Sequence, residues 1–230
     1  MNARVKKTLG VLATYCVLLV VCAVFLFPCL WLILASFSRT GSIYSFNGFF
    51  PRSFSWDSFV RLFTDTTMYN YPRWLGNTLL VAVVSSLAST LLVILTAYTI
   101  SRFEFRLRRP LMKGALVLGM FPSFMAMTII FILMNQFNLI NNLWGLIMIY
   151  SFSAPMGYLV QKGFFDTIPA SIYEAARMDG ASNARAFRTI ALPLARPIIV
   201  YTMLTSFTWP WSDFILPKLL LKDKDMYTVA

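Results

Sequence analysis

The chain has 230 residues, of which 58% are hydrophobic and only 13% charged, whereas soluble domains average about 45–50% apolar and about 25% charged; this is the composition of a membrane protein. With no histidine in the chain, His-based proton relays, His metal sites and Ser-His triads are excluded. The formal charge of +11 sits in the gaps between apolar runs, so membrane topology explains it better than nucleic-acid binding does.

A spanning helix needs about 20 mainly apolar residues, and five runs qualify: 9–37, 77–100, 113–134, 142–160 and 195–216. The first follows Arg4, Lys6 and Lys7 but far exceeds the roughly 7–15 apolar residues of a secretory signal, so it is expected to stay as a span. Its cysteines, Cys16, Cys22 and Cys29, fit no metal-ligand or redox spacing and read as apolar filler. The loop from Ser38 to Gly76 is rich in aromatics. It predicts a short interfacial helix capped by Ser55, with Trp56, Phe59, Val60 and Phe63 on one side, and a docking surface for an external partner is the alternative.

Arg102, Arg106, Arg108, Arg109 and Lys113 follow the second run, and Lys162, Arg177, Arg185, Arg188 and Arg196 follow the fourth. Together with the basic amino terminus they fall on one side if every run spans, and that side is expected to be the cytoplasm. The basic tail with Lys218, Lys222 and Lys224 then lies outside, a mild departure from the rule. Pro28, Pro122, Pro155 and Pro210 interrupt four of the runs and predict kinks, which neighbouring helices or cavity water can accommodate. Asp213 is the one acid within reach of the hydrocarbon, and carboxylates at that depth are functional candidates.

Between runs four and five lies a polar stretch, 161–193, which includes one of the two glutamates of the chain. Ser171 three residues before Glu174 reads as a capping box, and Pro169 fits the entry to a helix. Ile172, Ala175 and Ala176, with Tyr173, would form a face of small side chains. Gly180 is placed to end that helix in the left-handed region, and Asp179 or Ser182 to start the next. These residues alone describe two short helices outside the membrane, a shape that an interfacial hairpin joining two spans would share.

The spacing in this stretch resembles the EAA loop of ABC-importer permeases: Glu174-Ala175-Ala176, three residues, Gly180, nine residues, Ile190, one residue, Leu192-Pro193. "MDGAS" after it and "WPWSDFILP" beyond resemble the carbohydrate-importer branch, most of all the second permease of maltose or maltodextrin transporters. The resemblance implies an all-α polytopic membrane helical bundle of the ABC type I importer permease kind, with residues 1–230 in a single transmembrane permease domain. It implies that the loop docks in a cleft of an ATPase, with Glu174 as polar anchor, Ala175 and Ala176 allowing close approach and Gly180 making the turn. It also implies a second permease subunit, two ATPase copies holding ATP and Mg, and an extracellular or periplasmic sugar-binding protein, in a bacterial or archaeal plasma membrane with the amino terminus in the cytoplasm. Neither metal nor cofactor is expected on this chain, which lacks a glycine-rich phosphate loop. A sixth span is expected in such permeases, so a sequence ending in "DMYTVA" reads as one that stops before it.

A sugar site combines aromatic faces with hydroxyl, amide or carboxylate groups. Ser123, Asn135, Tyr150, Ser151 and Tyr158 in runs three and four, and Trp209, Trp211 and Asp213 in run five, supply those types, although aromatic belts at the interface account equally well for the tryptophans. The resemblance also allows the sugar to be held mostly by the partner permease. A carrier of glycerol phosphate or another polar solute would favour basic side chains deep in a span, and a polytopic membrane enzyme would need clustered acids or a Ser-Lys pair there. The sequence shows neither.

Overall fold

A computed structural model describes residues 3–39, 53–67, 69–152 and 155–230. Contacts divide the chain at Tyr71/Pro72 into two units. In the first, α1 (Ala3–Ser36) runs as one 34-residue helix through Pro28, about 51 Å at 1.5 Å per residue. Most of its apolar side chains between Val11 and Ile33 are exposed, as suits a helix facing lipid. Pro51 and the rest of 40–52 lie outside the described residues. The expected amphipathic helix is α2 (Asp57–Thr64), but Trp56 and not Ser55 stands at its N-cap and no side chain caps it; the Ser55 hydroxyl accepts the Asp57 amide at 3.0 Å. Phe37 gathers the rings of Trp56 and Phe59 at 5.0 and 5.3 Å.

The second unit is organised on α3 (Tyr71–Arg102). Its buried face carries Thr78, Val81, Ser85, Ser86, Ser89, Thr90 and Ala97, while Leu79, Leu80, Leu87, Leu91 and Leu95 are exposed. That inverts the pattern of a soluble helix. Lipid solvates leucine as well as a protein core does, so small and hydroxylated residues, which let helices approach and bond one another, go inside. The Ser86 hydroxyl donates to the Met203 carbonyl at 2.8 Å.

Around α3 stand α4 (Arg108–Met120) and α5 (Ser123–Gln136), α6 (Leu143–Phe152) and α7 (Pro155–Asp166), then α8 (Ala170–Met178), α9 (Asn183–Ala186), a π-helical turn Phe187–Ala191, α10 (Leu192–Leu194), α11 (Arg196–Ser212) and α12 (Ile215–Leu220). Among the described residues, three helical stretches, Gly10–Ser36, Tyr71–Arg102 and Leu143–Asp166, are each long and apolar enough to cross a membrane. The count reaches five when two bent pairs are taken as one span each. One of these is the third run, which is not a straight span: α4 and α5 meet at 108°. Phe121 and Pro122 are extended there, because proline clashes with a helical residue before it and cannot continue the hydrogen-bond ladder. Pro210, in contrast, is carried inside α11. The fourth run continues as helix past 160 to Asp166, taking Gln161 and Lys162 out of the polar loop.

Two apolar cores result. One joins Val81, Met134, Leu146, Tyr150, Leu216 and Leu220 from α3, α5, α6 and α12. The other joins Ile94, Ala97, Tyr98, Phe165, Tyr173 and Ala191 at the opposite end of α3. The polar loop is built on the second.

Candidate functional site

Pro169 is extended (φ −57°, ψ 137°) and α8 begins directly after it. Ser171 is therefore already inside the helix, and the expected capping box with Glu174 does not form: no side chain caps this end. The predicted shared face is also corrected. Tyr173 is the buried residue of α8, and a helical step of about 100° per residue puts Ser171, Ala175 and Met178 on the opposite side. Glu174, Ala175 and Met178 are exposed and Ala176 half-buried, so α8 lies with one aromatic anchor inward and an outward surface that mixes Glu174 and Ala175 with the apolar Ile172 and Met178.

The end of α8 follows the sequence. Gly180 has φ +79°, its amide donates to the Arg177 carbonyl at 2.9 Å, and the Ala181 amide reaches the Ala176 carbonyl at 2.8 Å. This is the Schellman closure, in which a left-handed residue turns the chain back on the last carbonyls. Ser182 then caps α9 through the Arg185 amide at 3.3 Å. In the π turn each bond spans five residues, so Ala186 and Ala191, five apart, both face the core. Ile190 and Leu192 pack beside them, half-buried, and Pro193 is exposed.

Arg102 ties this elbow to α3. Its guanidinium donates to the carbonyls of Ile168, at 2.9 Å, and Phe165, and lies 4.2 Å from the centre of the Tyr173 ring. Beside it the Ser101 hydroxyl donates to Asp166 at 2.6 Å. Tyr98 stacks among Phe103, Phe165, Tyr173 and Phe187, with centroids 4.6–6.4 Å away. Burial pushes the Tyr173 hydroxyl above the ordinary tyrosine range, opposed by the charge of Arg102. The helices on either side of the elbow are joined as well: Gln161 of α7, fully buried, donates to Thr202 of α11 at 2.7 Å. Sequence reading took Arg102 only as topological charge and passed over Gln161 and Thr202. The signal for Gln161 is an amide directly after the apolar run that ends at Val160.

The structure brings few of the expected pathway residues together. The Tyr150 hydroxyl donates to Asp213 at 3.0 Å, and the other carboxylate oxygen accepts the Leu216 amide at 3.3 Å, so Asp213 also holds the start of α12. Ser151 uses its hydroxyl on the Ile147 carbonyl and, with Tyr158, borders a separate groove of about 580 Å³. Asn135 and Trp209 are exposed, and Trp211 packs on Phe207 with centroids 6.0 Å apart. Ser123 opens α5, and its side chain lies outside the described set.

Residues 89–230 match the family described as binding-protein-dependent transport system inner membrane component. The chain belongs to this family. The maltodextrin transport system permease protein MalD of Streptococcus pneumoniae is 34% identical over 230 residues, covering all of this chain and 81% of the relative. The galactooligosaccharides transport system permease protein GanQ of Bacillus subtilis is 32% identical over 229 residues, 99% of this chain and 81% of the relative. The maltose/maltodextrin transport system permease protein MalG of Yersinia pestis is 29% identical over 241 residues, 98% and 79% of the two chains. A crystal structure of a bacterial ABC transporter involved in the import of the acidic polysaccharide alginate superposes with a TM-score of 0.83 at 21% identity, covering 98% of this chain and 79% of that one, which establishes the permease fold. The protein is therefore a multi-pass permease subunit of an ABC importer and not an enzyme. Membership implies that a partner permease, an ATPase and a solute-binding protein work with it.

Proposed function

We propose that this permease is one of a pair that imports a maltodextrin-like oligosaccharide, driven through α8 by two copies of an ATPase that carry the ATP and Mg. The names of its relatives support the sugar class. The observation that carries the coupling role is the disposition of α8: Tyr173 inward, Glu174 and Ala175 outward, and a closed turn at Gly180. A helix that is anchored on one side and open on the other fits a groove in a partner. In this reading Glu174 bonds to the ATPase, Ala175 and Ala176 let it approach, and Gly180, Ile190, Leu192 and Pro193 set the shape of the elbow. The Gln161–Thr202 bond makes α7 and α11 move with it.

Basic residues from two of the three sets, Arg106, Arg108, Arg109 and Lys162, line one cavity. This supports placing both sets on the cytoplasmic side, with the amino terminus there too. Substrate arrives on an external sugar-binding protein, and the exposed ring of Trp209 with the half-buried carboxylate of Asp213 four residues on offers a sugar an aromatic face and a hydrogen-bond acceptor.

The test is copurification of the complete transporter with and without Glu174→Lys. Reversing a charge in a polar contact costs about 2–5 kcal/mol, so ATPase retention should fall by more than about tenfold. Full retention with unchanged uptake overturns the assignment of α8. Competition for uptake among maltose, longer maltodextrins and glycerol phosphate decides the cargo: the proposal expects the maltodextrins to compete and glycerol phosphate not to.

A further inference from the structure

The chain leaving α3 and the first turn of α4 place Arg106, Arg108 and Arg109 around a cavity of about 730 Å³, closed by Lys162 of α7 and with Glu104 as its one carboxylate. Among the described residues, none of the three arginines has a carboxylate within ion-pair distance. Lys162 is already paired with Asp166. Arg108 and Arg109 stand at the amino end of α4, where no acidic residue accompanies them. That end of a helix carries partial positive charge, so the two guanidinium groups add to the charge there. An anion would relieve both.

A second, apolar depression lies one turn further along α4. Leu111, Gly114, Ala115 and Leu118 of α4 line the groove of about 580 Å³ that Tyr158 of α7 also borders. Tyr158 and Lys162 are four residues apart and so share a face of α7. The two depressions therefore follow one another along the contact between α4 and α7. Leu111 and Leu118 are exposed, and the stretch between them spans about 10 Å of helix.

We propose that the α4–α7 crevice binds an anionic phospholipid, with its phosphate among Arg106, Arg108 and Arg109 and an acyl chain along Leu111–Leu118. Charge at the interface end and hydrocarbon beyond it is the order that a lipid presents. A soluble phosphate would use only the first part, and a protein segment has no reason to require both in that order. Gly114 supplies a probe, because it lines the groove and a Cβ added there meets nothing within 4 Å, so a side chain at this position starts without a clash.

The experiment is native mass spectrometry of the complete transporter, delipidated and titrated with phosphatidylglycerol or with phosphatidylcholine of the same acyl chains. The expected result is tight retention of phosphatidylglycerol alone, weakened about thirtyfold by Arg108→Gln with Arg109→Gln, as when two basic residues each lose their attraction to an anionic headgroup. Gly114→Leu should weaken it as well while the ATPase still copurifies. Equal retention of both lipids overturns the headgroup site. Loss of the lipid to inorganic phosphate, with Gly114→Leu silent, overturns the acyl groove. If Gly114→Leu instead releases the partner permease and wild type holds neither lipid, the crevice is a subunit contact and the proposal fails. Coupling through Glu174 stands or falls separately, since its readout is ATPase retention.

Discussion

The two ends of α3 are held in different ways. At the Arg102 end a single cation bonds two carbonyls and faces the Tyr173 ring, beside the rings of Tyr98, Phe103, Phe165 and Phe187. At the other end the fastening is polar and distributed. Asn77 donates to the carbonyls of Asp225 and Tyr227 at 2.9 Å, Trp74 to that of Lys224 at 2.7 Å, and Arg73 to that of Asp225 at 3.0 Å. The Val229 amide in turn reaches the Thr78 hydroxyl at 2.9 Å, and Asn141 accepts the amides of Lys222 and Asp223. The first end concentrates its bonds to main-chain carbonyls in one side chain and sits beneath the proposed moving part. The second spreads it over many main-chain contacts, so that no single loss should release it.

Arg102→Ala should therefore have the largest effect. It removes two hydrogen bonds from a charged donor, each worth about 1.5–3 kcal/mol, and should cost about 3 kcal/mol or more in the detergent-solubilised complex, seen as a lower thermal midpoint. Arg102→Lys should recover less than half, because an ammonium cannot reproduce the planar fork that serves both carbonyls and the ring. A smaller loss than at the other end of α3 would break the contrast.

Asn77→Ala comes next. It removes two neutral bonds at about 1 kcal/mol each, but water can replace the donor to the exposed one, so a loss of about 1–2 kcal/mol is expected. Substrate-stimulated ATPase activity should survive it and should be impaired by Arg102→Ala. Equal impairment would mean that both ends transmit motion.

Tyr173→Phe is the smallest. The hydroxyl has no hydrogen-bond partner among the described residues, so stability near pH 7 should change by less than about 1 kcal/mol. Because the folded pKa is raised, the folded state holds the proton more tightly than the unfolded one. Wild type should then lose stability as pH climbs above about 10, the ordinary tyrosine value, and the phenylalanine variant should lose less over the same range. Identical alkaline profiles would show that Tyr173 is not desolvated.

Features that depend on neighbours a few residues apart were legible in the sequence. Gly180 ends α8 because only a left-handed residue closes that turn, and Ser182 caps α9 because its hydroxyl lies beside the free amides. The helical class and the places of the apolar runs followed from composition in the same way. Ser171 does not cap because the extended backbone at Pro169 starts the helix two residues too early for it, a choice invisible to a four-residue pattern. The fastenings of α3 were not legible: Asn77 and Tyr227 are 150 residues apart, and nothing local marks either as the other's partner. The pathway candidates were chosen by residue type, and type does not say which hydroxyls are already used by their own helix, as that of Ser151 is.

The π-helical turn at Phe187–Ala191 gives the spacing of the loop a meaning as an angle. One residue more than an α-helical turn is wound in between Ala186 and Ala191, and each residue of helix turns the chain by about 100°. A deletion within the turn would restore regular winding and swing α9, and with it the direction in which the chain returns to α8, by roughly that amount. The nine positions between Gly180 and Ile190 thus act as a phase setting, which tolerates changes of side chain far more readily than a change in number.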